Sequence, residues 1–169
     1  VTTSANTAFA TSSSETAPSC SATGVDDDIW YSFTATATKH ALVLSSASVQ
    51  MTMAVYSGNC GALTQISGAC ANTTSGTATL NFTGLTIGAN YKVRIFTTAT
   101  SGNGTVTLCV GTPVGTTCSD AAPITSLPFS SGTQTTCGSG NDYIAGSFCN
   151  TNYGDGEDYV YALTINNAP

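Results

Sequence analysis

Charge is scarce in this chain. Lys, Arg, Asp and Glu make up 7% of its 169 residues, with three basic against nine acidic side chains. Such a balance offers no basic patch for a phosphate backbone or an anionic lipid surface, so nucleic acid and direct membrane insertion are excluded as partners. No stretch approaches the roughly 18 consecutive apolar residues of a membrane helix. The N-terminus lacks a basic stretch followed by an apolar one, so any signal peptide is expected to be removed or to lie upstream. Catalytic signatures are missing too: no Gly-x-Ser-x-Gly, no His-Glu-x-x-His and no phosphate-cradling glycine loop occurs. No segment has a helical period. The expectation is a protein that is not an enzyme.

What is present is hydrophobic residues, 41% of the chain, in period-two segments with Thr, Ser, Gly and Asn between them. That pattern predicts an all-β, antiparallel β-sandwich of the jelly-roll or Ig-like kind, with about seven strands. Ile29, Tyr31, Phe33 and Ala35 share one face of a strand over 28–36. Leu42 with Leu44, then Met51, Met53 and Val55, then Ala78, Leu80 and Phe82 point inward in the same way. In the strand that follows, Tyr91, Val93 and Ile95 face the core while Lys92 and Arg94 face away from it. Asn103-Gly104 is a type I′ hairpin signal that would return the chain as Val106, Leu108 and Val110. Residues 1–25 have almost no apolar period and read as an edge strand or a surface-hugging lead-in, pinned by Cys20.

One device occurs twice. An acidic run enters an aromatic strand at Asp26-Asp27-Asp28-Ile29-Trp30-Tyr31-Ser32-Phe33 and again at Asp155-Gly156-Glu157-Asp158-Tyr159-Val160-Tyr161-Ala162-Leu163. A shift of 130 positions superposes Asp28 on Asp158, Tyr31 on Tyr161 and Phe33 on Leu163, which is the mark of an internal repeat. The predicted organisation is a β-sandwich unit over 1–110, its opening segment missing or supplied elsewhere, and a linker over 111–117. The opening half of a second unit follows over 118–169, packed on the first or completed by a neighbouring chain. Within it, 121–129 reads as an edge strand because of its prolines.

Seven cysteines without a Cys-x-x-Cys spacing predict disulfides and an extracellular, secreted or cell-surface location. Cys60 with Cys70, and Cys137 with Cys149, each enclose a short loop and are the expected pairs. Cys20, Cys109 and Cys118 are left to be placed, and an odd count implies a bond outside the chain or a free thiol.

Six of the nine acidic residues, Asp26, Asp27, Asp28, Asp155, Glu157 and Asp158, lie in the two pre-strand clusters. They make Ca2+ the candidate cation, because such loops supply carboxylate and carbonyl oxygens; the competing reading is that they cap strand ends and turns. His40 reads as a solvated turn residue. Trp30, Tyr56, Tyr143 and Tyr153 are candidates for stacking on a sugar ring, for a second apolar layer, or for a packing contact with a neighbouring unit. Asn72, Asn81 and Asn103 stand in glycosylation sequons.

Several of these stretches together resemble a known group: Asp28-Ile29-Trp30-Tyr31-Ser32-Phe33, Val55-Tyr56-Ser57-Gly58-Asn59-Cys60-Gly61, Gly84-Leu85-Thr86-Ile87-Gly88-Ala89-Asn90-Tyr91 and Leu108-Cys109-Val110. Cys137-Gly138-Ser139-Gly140-Asn141-Asp142-Tyr143 and Gly156-Glu157-Asp158-Tyr159-Val160-Tyr161 continue the order. The chain resembles repeat modules of secreted and surface proteins of Bacteroidetes-type bacteria, β-sandwiches related to bacterial pre-peptidase C-terminal domains. The resemblance implies a non-catalytic part of an adhesin, stalk or filament that assembles with other copies or adjacent repeats. The alternative is a carbohydrate-binding module, with surface glycans as partners, or an accessory domain of a secreted hydrolase.

Overall fold

The computed structural model describes residues 2–21, 27–97, 102–113, 121–132, 136 and 159–165. Two compact units divide the chain, Val1–Thr112 and Pro113–Pro169.

The first unit contains eight strands: β1 (Thr2–Asn6), β2 (Asp28–Thr34), β3 (Lys39–Ala47), β4 (Met51–Ser57), β5 (Thr64–Thr73), β6 (Gly76–Thr83), β7 (Asn90–Thr97) and β8 (Thr105–Gly111). They form two four-stranded sheets, sheet I in the order β1-β8-β3-β6 and sheet II in the order β2-β7-β4-β5. Every pairing is antiparallel. Two sheets with this strand order make a jelly roll. Its first and last strands are neighbours, with Thr2 opposite Cys109 and Asn6 opposite Thr105.

The period-two reading of the core holds. Leu42, Leu44, Leu80, Phe82, Val106 and Leu108 of sheet I meet Met51, Met53, Val55, Tyr91, Val93 and Ile95 of sheet II, all buried, with Ile29, Tyr31 and Phe33 packed against them. Burial of a large apolar side chain stabilises by about 1.5–3 kcal/mol, so these residues hold the two sheets together.

One expectation about connection is corrected. Asn103-Gly104 does not turn a hairpin: β7 belongs to sheet II and β8 to sheet I, so the connection crosses between sheets. Gly104 serves packing instead, since a Cβ there would lie closer than 3.0 Å to Val49 Cγ2 and Met51 Cε. The outer face of sheet II is covered. Thr52, Ala54 and Tyr56 of β4 and Arg94 and Phe96 of β7 are buried although they point away from the core. A sheet face lacking alternation in this way must be covered, and what covers it is the lead-in segment between β1 and β2.

In the second unit, β9 (Ala122–Ile124) and β10 (Tyr161–Leu163) pair in parallel. The Ala122 N–H donates to the Val160 carbonyl at 2.9 Å. Phe129 sets its edge on Tyr161 with ring centres 5.2 Å apart, and Tyr159 lies 5.0 Å from the same ring. The repeated aromatic strand is therefore a strand in both units.

Candidate functional site

The lead-in crosses sheet II as a strap, and Arg94 is its anchor. The side chain is fully buried. Its Nε donates to Asp28 Oδ2 at 2.6 Å, and its Nη2 donates to Ser13 Oγ at 3.0 Å. Its Nη1 donates to the carbonyls of Glu15 and Thr16, each at 3.2 Å. Asp28 completes the set: Oδ1 accepts from the Ser13 N–H at 3.1 Å and Oδ2 from the Ser13 hydroxyl at 2.5 Å. Ionic hydrogen bonds of this kind are the strong ones, and the cost of burying two charges is offset only when the remaining donors and acceptors are also satisfied. Arg94 was expected to face away from the core. It faces away from the core as the alternation says, but into a second buried layer.

Further along, the strap reaches β5. Ser19 N–H donates to Gln65 Oε1 at 2.9 Å and Gln65 Nε2 donates back to Ser19 Oγ at 2.8 Å. Gly61 N–H donates to Glu15 Oε1 at 3.1 Å. Cys20 then bonds Cys70 of β5, 50 positions later. This overturns the expected Cys60–Cys70 bridge. Cys60 sits exposed in the β4–β5 turn as a free thiol, whereas Cys70 lies well inside β5, opposite Ala54. Cys109 is also disulfide-bonded; Cys118, Cys137 and Cys149 lie outside the described residues.

Trp30 and Tyr56 meet on this covered face, ring centres 5.5 Å apart. The Arg94 guanidinium carbon lies 5.3 Å from the centres of both the Trp30 and the Phe96 rings, a cation–π sandwich. Tyr56 is buried with no hydrogen-bond partner for its hydroxyl. Burial pushes its phenol above the ordinary value, and the nearby Arg94 charge counters part of that rise. Both rings therefore work as a second apolar layer. Tyr143 and Tyr153 lie outside the described residues.

Asp28 has its carboxylate committed to Arg94 and Ser13. Asp27 contributes its carbonyl to the Thr97 N–H at 3.4 Å, while Asp26, Asp155, Glu157 and Asp158 lie outside the described residues. Among the described residues no three His, Cys, Asp or Glu side chains gather as a metal site. Asn72, Asn81 and Asn103 are all exposed, and Asn72 Nδ2 donates to the Cys20 carbonyl at 3.4 Å.

His40 is a correction as well. It is not a solvated turn residue but a buried member of β3. Its Nε2 accepts from the Thr36 N–H at 3.1 Å, which makes Nδ1 the protonated nitrogen, donating to the Gly111 carbonyl at 3.0 Å. Phe33 stands edge-on to the ring at 5.1 Å. A buried imidazole with both nitrogens bonded to backbone is a core polar group.

One open depression lies on the outer face of sheet I. It has a volume of about 400 Å3 and is lined by Ser4, Ala5, Asn6, Ser46, Thr105, Val106 and Thr107. Ser4 faces Thr107 and Asn6 faces Thr105 across β1 and β8, and Thr107 in turn faces Ser45 of β3. The dent forms where β3 bulges between Leu44 and Ala47.

A family model for galactose-binding domain-like modules associated with the Bacteroidetes T9SS matches residues 1–110. The chain belongs to that family. The matched span contains the jelly roll, the strap and the sheet I depression, and it agrees with the Bacteroidetes surface-module resemblance. No curated protein and no solved structure matches the chain. The galactose-binding domain-like unit buries Tyr56 and the Arg94–Asp28 ion pair on the strap side, with Trp30 half-buried beside them, and leaves neutral hydroxyls on the opposite sheet.

Proposed function

We propose that this chain is a non-catalytic structural and adhesive module of a secreted bacterial surface protein or extracellular filament. Its partners in that role are other copies of the chain or adjacent repeats. The observation that carries the reading is the strap: Arg94, Asp28 and the Cys20–Cys70 bond tie the lead-in across sheet II, a construction suited to an oxidising exterior. The T9SS-associated family supports a surface or extracellular location. The repeated aromatic strand supports an array of such units. The kinship to pre-peptidase C-terminal domains belongs to the same reading and rests on the shared sandwich and the order of motifs.

The test is assembly. Purified chain is imaged by negative-stain microscopy and sized by light scattering, beside a version ending at Gly115. Regular polymers from the longer chain that vanish on truncation support a role for the second unit in assembly. Persistence of polymers in the truncated version sinks that role, and monodisperse monomers from both remove self-assembly from the proposal.

A further inference from the structure

The repeated aromatic strand has different neighbours in the two units, and the difference falls on one edge. In the first unit β2 ends sheet II, paired with β7 and, among the described residues, with no other strand. At one end of that pairing the Ala35 N–H donates to the Ala89 carbonyl at 2.9 Å, and at the other the Thr97 N–H donates to the Asp27 carbonyl at 3.4 Å. The register between these bonds is unbroken. In an antiparallel ladder the odd-numbered residues of β2 therefore bond β7, and the even-numbered ones turn N–H and C=O the other way. Thr36 N–H, beyond the strand, is taken by His40 Nε2. The open window runs from the Trp30 carbonyl to the Thr34 N–H. It has no proline, lysine or bulge to blunt it, which are the usual protections of a sheet edge. Ile29, Tyr31 and Phe33 face the core there but are only half-buried.

In the second unit the same edge is occupied. By the 130-position shift Val160 stands for Trp30 and Ala162 for Ser32. The Val160 carbonyl accepts from the Ala122 N–H at 2.9 Å, and β9 lies parallel to β10 with Tyr161 opposite Ala122 and Leu163 opposite Ile124. Carried to the first unit, this register puts Ala122 beside Tyr31, Pro123 beside Ser32 and Ile124 beside Phe33. The Trp30 carbonyl then accepts from Ala122 N–H, and Ser32 N–H donates to the Ala122 carbonyl. Ile124 N–H donates to the Ser32 carbonyl, and Thr34 N–H donates to the Ile124 carbonyl. These bonds fill the window. Pro123 falls in the other phase, so its missing N–H costs the ladder nothing. The faces agree as well: half-buried Ala122 and Ile124 turn to the core with Tyr31 and Phe33, and exposed Pro123 turns outward with exposed Ser32.

We infer that the open edge of β2 is a strand-addition site, and that its occupant is the β9 segment of a second copy of this chain. The inference rests on the proposed self-association and names the contact that carries it. Strand addition takes its affinity from main-chain bonds and its register from alternate side chains. β9 is free to exchange because its own sheet has two strands and a three-residue ladder, a marginal pairing. Leu127 and Leu163 stay exposed in that unit. β2 offers the same backbone groups backed by a four-stranded sheet and a packed core.

The experiment traps the register between chains in a Cys60→Ser background. A Ser32→Cys chain is mixed with a Pro123→Cys chain under mild oxidation, beside a Thr34→Cys chain with the same partner. Neighbouring strands lie about 4.8 Å apart, within disulfide reach, so the expected product is a mixed dimer whose digest links positions 32 and 123, at least tenfold more abundant than the control. In parallel, self-association of the whole chain is followed by sedimentation across a concentration series. Ser32→Pro removes an N–H that points away from β7, so it should leave the melting temperature within a few degrees and weaken association at least tenfold. The trapping result stands even where the proline variant folds poorly. Polymers that persist in Ser32→Pro without a 32–123 link overturn this interface and leave self-association standing. A link found only within one chain carrying both cysteines overturns the second copy as occupant. Monomers at every concentration overturn both.

Discussion

Arg94 and Asp28 are diagonal neighbours on adjacent strands: Arg94 is directly opposite Trp30 and Asp28 directly opposite Phe96, yet Arg94 Nε and Asp28 Oδ2 approach to 2.6 Å. The offset turns the guanidinium across the sheet, between the Trp30 and Phe96 rings, and leaves Nη1 and Nη2 free to hold the backbone of Glu15 and Thr16 and the hydroxyl of Ser13. One side chain therefore joins β2, β7 and the strap.

Breaking this pair from one side should be costly. Arg94→Met or Asp28→Leu each leaves a buried partner unanswered and should destabilise the unit by about 3–5 kcal/mol. Combining Arg94→Met with Asp28→Leu should recover a substantial part of that loss. Urea unfolding of the four proteins gives the coupling energy directly, and simple additivity would contradict a coupled lock.

The Cys20–Cys70 bond closes 50 positions of chain and in the chain-entropy model stabilises by about 4 kcal/mol. Cys20→Ser should lower the unfolding midpoint accordingly, whereas Cys60→Ser should leave it unchanged. Mass spectrometry of the native protein treated with iodoacetamide should show Cys60 alkylated and Cys20 joined to Cys70 after digestion.

Tyr56 links stability to alkaline pH. Its phenol is raised above 10.0 in the fold, first by burial, so the folded state holds the proton more tightly than the unfolded chain. Stability from this group is complete below pH 10.0 and falls as pH rises from there through the folded-state value. Tyr56→Phe removes a buried hydroxyl without a partner, so at neutral pH it should be neutral or stabilising. It should also flatten the alkaline fall, measured by thermal melts between about pH 9 and pH 11.

Gly104 is set by space. Gly104→Ala drives a methyl into Val49 and Met51 and should cost about 1–3 kcal/mol. Adding Val49→Ala should restore part of that stability, which chemical denaturation of the single and double variants measures.

Much of the sandwich is legible in the sequence because its strands are half-buried in the ordinary way. Tyr91, Val93 and Ile95 alternate with Lys92 and Arg94, and the core face is where that alternation puts it. What alternation cannot supply is the cover on the other face. Residues 7–21 have no apolar period and read as a surface-hugging lead-in pinned by Cys20, as the strap is, but nothing in them says which face they cover, and Arg94 looks like any outward charge until Asp28 and the Glu15 carbonyl surround it. The Asn103-Gly104 signal describes a turn but not which sheet receives the next strand. Cys60 and Cys70 are close in sequence, yet β5 carries Cys70 away from the turn and toward Cys20. His40 misled because Lys39 and the Thr/Ala residues before it look like a turn, while its bonds to Thr36 and Gly111 come from backbone that only the fold brings near. The sheet I depression left even less trace, since Ser and Thr are common throughout and the bulge at Ser46 has no sequence mark.

The β1–β8 pairing has a mechanical consequence. Because Thr2 lies opposite Cys109, the chain enters and leaves the jelly roll from the same end of sheet I. A pull applied between those two points loads the cross-strand bonds one after another, like a zip, instead of all at once in shear. The first few nanometres of extension under tension should therefore yield at low force, and the covalent staple across sheet II then keeps the stretch from Cys20 to Cys70 from paying out. A tether built of such units would give early and stop short.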